Sequence, residues 1–231
     1  MNCITSLNDN FMSSSIELIL LLFASYISGS MPTSIIVGKI FKGIDIREHG
    51  SGNAGSTNVF RILGWKPALI VIVIDIFKGW LPAAVYATSL FQGQPIEDIG
   101  VVQILCGFAA VLGHTYTIFA GFQGGKGVGT LGGMLLALFP IAVPLCLIVF
   151  IFVLIMTGYV SLGSIFASVS LPIFLFILPL LGFANPAQLS LLIFSLLVPW
   201  FIIFMHRSNL SRLRSGDENR FEKAMIFKKN K

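Results

Sequence analysis

The sequence predicts an all-α integral membrane protein with seven transmembrane helices, its N-terminus outside and its C-terminus in the cytoplasm. Three features indicate this class: 55% of the 231 residues are hydrophobic, only 11% are charged, and long apolar runs recur along nearly the whole chain. Soluble domains carry roughly 25% charged residues, whereas a helix of about 20 apolar residues crosses a bilayer. No polar stretch is large enough to fold separately, so we expect one membrane domain over residues 1–231.

Six apolar windows lie between segments that contain glycine, proline or charge. They cover about 16–38, 67–90, 100–120, 128–156, 160–181 and 187–205. The fourth window is the longest and contains Pro140 and Pro144 near its middle. Two short helices joined by a turn at 139–143 fit that pattern, which brings the predicted helix count to seven.

Positive charge tests the helix count independently, because lysine and arginine stay on the cytoplasmic side of a membrane. Five of the fifteen cations lie in the segment after the first window, one in the third connecting segment and eight in the tail, which leaves only Lys78 inside a helix. Residues 1–15 contain no cation. An outside segment 1–15 and a cytoplasmic basic tail at 206–231 require an odd number of crossings. The segments predicted to face the cytoplasm are 39–66, 121–127, 157–163 and 206–231, and those predicted to face outside are 91–99, 139–143 and 182–186.

A dense block of glycines, hydroxyls and amides follows the first window, reading DIREHGSGNAGSTNVFR at 45–61. Glycines let backbone N–H groups converge on an anion, and Arg47 and Arg61 can each bind phosphate through two hydrogen bonds. The alternative is a flexible connector whose arginines only set the topology. Because such polar residues bury little apolar surface, we expect an anionic ligand to order this segment.

A second glycine-rich segment, GFQGGKGVGT at 121–130, precedes the fourth window. It lacks the pattern of an ATP-binding P-loop, because Ala120 and Gly127 stand where that motif needs a glycine and a magnesium-binding hydroxyl. A glycine loop that enters a helix N-terminus still favours an anion, and Lys126 adds a positive charge. The alternatives are an interfacial lysine that fixes topology and, for the nearby His114, a histidine that only completes a helix end.

Two further groups of polar residues stand at helical spacing. Asp75 and Lys78 are three residues apart and can pair, since an unpaired charge in the bilayer costs about 2.5–3.5 kcal/mol. We expect them to support the site from behind, with an ion pathway as the alternative. His206 and Asn209 share a helix face at the cytoplasmic boundary and can orient a hydroxyl, unless they only belong to a basic tail attracted to anionic lipid.

Taken in order, these segments resemble the PlsY family of bacterial acyl-phosphate:glycerol-3-phosphate acyltransferases. The resemblance covers nearly the whole chain and rests on five motifs: SGNAGSTNVFR at 51–61, DIFKG at 75–79, GH with GFQGGKGVGT within 113–130, YVSLGSI at 159–165, and HRSNLSRL with GDE within 206–218. The chain departs from the family pattern at Gly158, where an arginine is usual, and at Thr117, where a proline is usual.

The resemblance implies transfer of an acyl chain from acyl phosphate to the 1-hydroxyl of glycerol-3-phosphate, which gives lysophosphatidic acid and inorganic phosphate in the first acylation step of phospholipid synthesis. It implies no cofactor, no coenzyme A or acyl carrier protein, no metal, no nucleic acid and no obligate protein partner. The enzyme would lie among lipids in the bacterial plasma (inner) membrane, with its active site on the cytoplasmic face.

The same resemblance assigns roles to individual residues. The expected catalytic residues are Ser51, Arg61, Lys126, His206 and Asn209. The expected substrate- or phosphate-binding residues are Gly52, Asn53, Thr57, Asn58, Gly124, Gly125, Gly127, Ser161 and Ser164. The expected structural supports are Asp75, Lys78 and Glu218, the last as a brace for the tail.

Two other functions are weighed against this one. Acyltransferases with a His-x-x-x-x-Asp pair use the histidine as a general base, but the fifth residues after His49, His114 and His206 are not aspartates. A carrier of phosphorylated solutes would place its binding groups near the membrane midplane within an inverted repeat. The candidate residues instead cluster at one boundary, and the sequence shows no repeat.

Overall fold

A computed structural model gives the fold of residues 2–89 and 99–221, with side chains described for 15–88 and 99–221. These residues form helices and connecting turns, with no β-strand among them. The chain divides into two compact units, Met1–Ala137 and Leu138–Lys231. Residues 91–98 of the outside loop predicted at 91–99, and the basic residues after 221, lie outside the described residues.

In its described residues, 2–89 and 99–137, the first unit forms seven α-helices and two short 3-10 turns. A π-helical segment, Pro82–Tyr86, continues the helix Trp65–Leu81 and accommodates Pro82, because proline lacks the N–H that a regular helix would use. The elements are α1 (Asn2–Gly29), α2 (Thr33–Lys42), a 3-10 turn (Ile46–Glu48), α3 (Ser56–Leu63), α4 (Trp65–Leu81) with its π-helical extension (Pro82–Tyr86), α5 (Ala87–Ser89), α6 (Ile99–Thr115), a second 3-10 turn (Ile118–Ala120) and α7 (Val128–Leu138).

Glycines bring the long helices of this unit into close contact. A Cβ added to Gly29 of α1 would overlap the backbone of Ala110 in α6, and one added to Gly79 of α4 would overlap the carbonyl of Thr130 in α7. Small residues that let backbones approach are the usual means of packing helices in a membrane, where apolar side chains gain little by leaving lipid. The pairs α1–α6 and α4–α7 therefore form the framework that carries the connecting loops.

The polar segment between α2 and α4 has an apolar core of its own. Ile46 and Val59 are fully buried, and they pack with Ala54, Val71 and Ile35 beneath the segment. The expectation that this segment buries little apolar surface is therefore wrong. Because α3 starts at Ser56 and is amphipathic, its apolar face pins the segment to α2 and α4, which a flexible connector would not do.

The second unit contains α8 (Ala142–Thr157), α9 (Val160–Leu180), α10 (Leu189–Met205) and α11 (Arg207–Ser215). Helices α8 and α9 pack closely, and a Cβ added to Gly163 would lie 3.0 Å from the carbonyl oxygen of Phe150. Helix α11 bends away from α10 by 57°. The joint is His206, which the sequence had placed inside one continuous helix with Asn209.

Four helical stretches in the described part of the chain are long and apolar enough to cross a membrane: Ser15–Lys42, Trp65–Tyr86, Ile99–Ala120 and Val160–Leu180. Helix α10 with its bent continuation makes a fifth. The fourth sequence window breaks as predicted, with α7 ending at Leu138 and α8 beginning at Ala142. A multi-pass membrane fold follows, while the count of seven crossings and their orientation stay predictions.

Candidate functional site

The side chain of Asn58 holds the first glycine-rich segment in place through three hydrogen bonds. Its side chain is buried, and its Nδ2 donates hydrogen bonds to the carbonyls of Ile46 (3.0 Å) and His49 (2.9 Å). Its Oδ1 accepts the N–H of Ser51 at 2.9 Å. Both amide hydrogens are thus committed to the backbone. We expected Asn58 to contact substrate, but its geometry fits a different task, which is to fix the turn that presents Ser51.

Glycine is needed at two points of this turn. Gly50 and Gly52 have φ values of 62° and 70°, in the left-handed region that side chains rarely adopt. A Cβ at Gly50 would also overlap the Oδ1 of Asn58. The two glycines therefore let the chain fold tightly around the asparagine and leave Ser51 exposed at the surface of the turn.

The N-terminus of α3 is open to an anion. Gly55 precedes the helix in an extended conformation and has no side chain that could cap its first N–H groups. Such uncapped N–H groups and the helix dipole favour negative charge. Thr57 and Arg61 stand four residues apart on this helix, hence on the same face. Asn53 lies beside Gly55, where a Cβ would come within 2.9 Å of its Nδ2.

Arg47 joins the first segment to the second. Its guanidinium pairs with Asp45 (Nη2 to Oδ2, 2.7 Å) and donates from Nη1 to the carbonyl of Ala120 at 2.9 Å. The hydrogen bonds from Arg47 hold the pKa of the Asp45 carboxyl below its ordinary value, and the carboxylate raises the pKa of Arg47. The sequence suggested that Arg47 binds phosphate, but in the structure its guanidinium connects the segment at 45–61 with the loop at Ala120.

The second glycine loop lies against the end of α6. The N–H of Gly124 donates to the carbonyl of Thr115 (3.0 Å) and that of Gly125 to the carbonyl of His114 (3.2 Å). A Cβ at either glycine would overlap His114, and one at Gly125 would lie 2.7 Å from the carbonyl oxygen of Ala54. The contact at Ala54 brings the two glycine-rich segments together.

Lys126 is the next residue after Gly125, which makes this contact. It is half-buried between Gly125 and Gly127, both of which are buried, and Gly127 has a φ of 76°. The carbonyl of Gly127 accepts the N–H of Leu131 (2.7 Å), and α7 starts at Val128, two residues after the lysine. Lys126 thus stands at a helix N-terminus, as the sequence predicted for an anion site.

Buried charges support this loop from inside the helix bundle. The carboxylate of Asp75 lies 2.9 Å from the ammonium of Lys78 and 3.6 Å from Nδ1 of His114. Lys78 also donates to the carbonyl of Met31 (2.9 Å). The predicted pair is therefore formed, and its link to His114 was not foreseen from the sequence. Since the imidazole packs under Gly125, the three side chains hold the glycine loop in place.

In the second unit, Glu218 accepts hydrogen bonds from three side chains. Its buried carboxylate accepts hydrogen bonds from the hydroxyl of Ser161 (3.1 Å), the Nδ2 of Asn209 (2.5 Å) and the Nε of Arg212 (2.8 Å). Ser161 comes from α9 and Asn209 from α11, so the glutamate joins these helices. This arrangement fits the expected brace. Arg212 was missed, although it stands three residues after Asn209 on the same helix.

His206 is oriented by its own helix. It is buried, and its Nδ1–H donates to the carbonyl of Ile202 at 2.8 Å, which fixes the orientation of the ring. Ser164 does not join the Glu218 group, because its hydroxyl bonds the carbonyl of Val160 one turn earlier (3.0 Å).

The two departures from the family pattern have structural counterparts. The hydroxyl of Thr117 donates to the carbonyl of Ser30, so the threonine ties the loop after α6 to the end of α1. Gly158 ends α8 with a φ of 76°, and its carbonyl accepts the N–H of Phe221 (2.7 Å). The adjacent Arg220 lies over the ring of Tyr159 and donates to its hydroxyl (2.7 Å).

Comparisons with known proteins agree with this geometry. Residues 19–216 match the family model described as glycerol-3-phosphate acyltransferase. The glycerol-3-phosphate acyltransferase of Chlorobium phaeovibrioides is 45% identical over 228 residues, with 89% of this chain and 97% of the relative covered. That of Chlorobium limicola is 42% identical with the same coverage.

Two solved structures are similar to this chain over 88% of its length. One is a crystal structure of PlsY (YgiH), an integral membrane glycerol 3-phosphate acyltransferase, in its glycerol 3-phosphate form, with a TM-score of 0.75, 36% identity and coverage of 88% of this chain and 95% of that chain. The lysophosphatidic acid form has a TM-score of 0.73, 35% identity and coverage of 88% and 94%. The chain therefore belongs to the glycerol-3-phosphate acyltransferase family, the PlsY family of integral membrane enzymes.

Proposed function

We propose that this enzyme takes an acyl phosphate as its donor and acylates the 1-hydroxyl of glycerol-3-phosphate, which gives lysophosphatidic acid and inorganic phosphate. Family membership supports the acceptor and the transferase reaction. The related crystal structures, described as glycerol 3-phosphate and lysophosphatidic acid forms, agree with the proposed acceptor and product.

The contact between the two glycine-rich segments supports the proposal most directly. Where Gly125 meets the carbonyl of Ala54, an uncapped helix start follows on one side and Lys126 on the other. Two adjacent anion-binding elements suit a reaction in which a phosphate monoester accepts an acyl group and a second phosphate departs. An ordinary carboxylic ester substrate would not need both.

The proposed reaction requires little activation by the protein. An acyl phosphate is a mixed anhydride, so the oxygen of the 1-hydroxyl attacks its carbonyl carbon, the bond from that carbon to the phosphate oxygen breaks, and the departing phosphate accepts the hydroxyl proton. Most of the rate acceleration then comes from the alignment of the two substrates and from electrostatic stabilisation of their phosphoryl groups. Arg61 and Lys126 are the proposed cations for the phosphoryl groups, with the exposed Ser51 as a hydrogen-bond donor.

His206 and Asn209 are the proposed residues that orient the acceptor hydroxyl. Nδ1 of His206 donates to a backbone carbonyl, which orients the ring, and Nε2 is the nitrogen proposed to contact this hydroxyl. Because Nδ2 of Asn209 donates to Glu218, the amide plane is fixed and its Oδ1 is directed away from the glutamate. Glu218 is thus proposed as a positioning residue that acts through Asn209.

We further propose that the enzyme lies in the bacterial inner membrane with seven crossings and its reactive loops on the cytoplasmic side. The positive charge of the segments at 39–66 and 206–231 supports this orientation. Acyl donors and glycerol-3-phosphate made inside the cell would then reach the site from the compartment where they arise.

Purified protein in lipid nanodiscs, given glycerol-3-phosphate with palmitoyl phosphate, palmitoyl coenzyme A or palmitoyl acyl carrier protein in turn, tests the proposal. We expect lysophosphatidic acid by mass spectrometry with palmitoyl phosphate alone, and one phosphate released for each product formed. Product from the thioesters instead would refute the proposed donor. Uptake of glycerol-3-phosphate into proteoliposomes without any acyl transfer would favour the carrier.

A further inference from the structure

The segment that follows α11 folds back onto that helix. Gly216 ends α11 in the left-handed conformation, with a φ of 84°, and its N–H donates to the carbonyl of Arg212. The N–H of Asp217 donates to the same carbonyl at 2.8 Å. This turn returns the chain toward α11, so that Glu218 lies beside the helix it follows. The main chain of Arg212 therefore fixes the turn independently of its side chain.

The side chain of Arg212 makes a separate contact with the same segment. Its Nε donates to Oε2 of Glu218 at 2.8 Å, whereas Ser161 and Asn209 donate to the other oxygen, Oε1. The Glu218 side chain is only 4% exposed and that of Arg212 is 37% exposed. Of these three described donors, only Arg212 carries a positive charge. Removal of the guanidinium would therefore leave a buried carboxylate without a counter-charge.

The two oxygens of Glu218 thus have different partners, and this difference fixes the Asn209 amide. Because Arg212 holds Oε2, the carboxylate cannot rotate, and Oε1 stays in place to accept the Nδ2 of Asn209. A carboxylate with an unpaired Oε2 would be free to turn, and the amide plane of Asn209 would turn with it. Side chains that orient a substrate need such support from the residues behind them.

We propose that Arg212 is a positioning residue for acyl transfer, which acts through Glu218 on the Asn209 amide that orients the acceptor hydroxyl. The inference rests on the proposed function, because the role of Asn209 is itself part of that function. It does not depend on the identity of the acyl donor, since Asn209 acts on the acceptor.

Direct binding of phosphate is the competing role for Arg212, because its side chain is partly exposed and a guanidinium binds phosphate well. The two roles affect different kinetic constants. Loss of a group that only orients the hydroxyl lowers kcat, whereas loss of a phosphate ligand raises KM for glycerol-3-phosphate. A purely structural role would lower the thermal stability and leave kcat per folded molecule unchanged.

The test compares variants of the full chain in lipid nanodiscs, with glycerol-3-phosphate varied at saturating palmitoyl phosphate. Arg212→Met removes the charge and keeps an unbranched side chain, and Arg212→Lys restores a charged donor. Arg212→Met combined with Glu218→Gln removes both charges, so it leaves no buried carboxylate unpaired and retains the fold even where Arg212→Met alone does not. Arg214→Met is the matched control, because Arg214 is exposed on the same helix and faces away from Arg212.

We expect Arg212→Met to lower kcat by roughly 10- to 100-fold, which is the effect of displacing reacting groups by up to about 1 Å. KM for glycerol-3-phosphate should stay unchanged, Arg212→Lys should recover most of the lost kcat, and Arg214→Met should match the wild type. In the Glu218→Gln background, Arg212→Met should lower kcat by no more than roughly twofold, because residues that act through one another are not additive. Each kcat is taken per folded molecule, as measured by thermal unfolding.

A raised KM with unchanged kcat in Arg212→Met would overturn the inference in favour of direct phosphate binding. A wild-type kcat in Arg212→Met, an equal loss in Arg214→Met, or a further loss of roughly tenfold when Arg212→Met is added to Glu218→Gln would also overturn it. A wild type that acylates glycerol-3-phosphate only from a thioester would refute the proposed donor, and the same comparisons would then be made with that thioester. A wild type without any acyl transfer would refute the proposed function itself.

Discussion

Replacing Gly125 by alanine adds a single Cβ atom and so tests how closely the second glycine loop packs against its neighbours. The new Cβ would overlap Nε2 of His114 and lie 2.7 Å from the carbonyl oxygen of Ala54, where ordinary contacts are 3.4–4 Å. The imidazole cannot swing away without leaving Asp75, 3.6 Å from its Nδ1. The two segments must therefore separate by at least about 0.7 Å, and a displacement near 1 Å costs about 10²-fold in rate.

We expect Gly125→Ala to lower kcat by about 10- to 100-fold, which corresponds to about 1.4–2.7 kcal/mol of transition-state stabilisation. Overpacking should also destabilise the fold by about 1–3 kcal/mol. The assay is phosphate release from palmitoyl phosphate, read beside thermal unfolding of the purified protein in detergent.

Gly132→Ala provides the control, because a Cβ at Gly132 on α7 meets nothing within 4 Å. It should retain activity and stabilise the helix by about 0.5–1 kcal/mol. Wild-type activity in Gly125→Ala, or an equal loss in Gly132→Ala, would refute the inferred contact between the glycine-rich segments.

Three more expectations follow from the same geometry. Because the Arg47 hydrogen bond holds the pKa of Asp45 below its ordinary 3.8 in the folded protein, the ion pair stabilises the fold above about pH 4, and this stabilisation is lost as the pH falls through the lowered pKa. Asp45→Asn should therefore melt below the wild type at pH 7, by under about 1 kcal/mol for a partly exposed pair. The gap should narrow as the pH is lowered below 3.8, and a gap that does not narrow would contradict the ion pair. Glu218→Gln should destabilise the protein by about 1–3 kcal/mol and expose α11 to limited proteolysis, while the neighbouring exposed Asp217→Asn leaves both unchanged; equal effects would speak against the brace. Ser51→Cys and Ser211→Cys should both react with a membrane-impermeant maleimide only in inside-out vesicles, and labelling from opposite sides would exclude the proposed topology.

Much of the helical framework can be predicted from the sequence because apolar windows and prolines act locally. The turn predicted at 139–143 is present between Leu138 and Ala142 since two prolines and the length of the window leave no other break. The later windows match helix ends to within about five residues for the same reason, whereas the first window, 16–38, runs across the end of α1 at Gly29 and the start of α2 at Thr33. Helix α3, which starts at Ser56, was not predicted, because its few apolar residues follow a block of glycines and hydroxyl residues that is typical of a loop.

The sequence indicates candidate site residues, but it does not indicate which contacts each of them makes in the fold. Arg47 and Arg61 look equivalent in the sequence, and only the fold shows that Arg47 is paired with Asp45 and with a carbonyl 73 residues away. From the sequence alone Asn58 also looks like a substrate-binding residue, although in the fold its amide donates hydrogen bonds to backbone carbonyls. Such roles depend on contacts between distant segments, which residue patterns do not encode.

The binding of glycerol-3-phosphate to Lys126→Met, measured by isothermal titration calorimetry beside Lys66→Met, tests most directly whether the glycine loops hold phosphoryl groups. Loss of one charge-assisted hydrogen bond should weaken the affinity of Lys126→Met by roughly 10- to 100-fold. Lys66, which is exposed at the start of α4, should be dispensable. Wild-type affinity in Lys126→Met, or an equal loss in Lys66→Met, would contradict phosphate binding at the glycine loop.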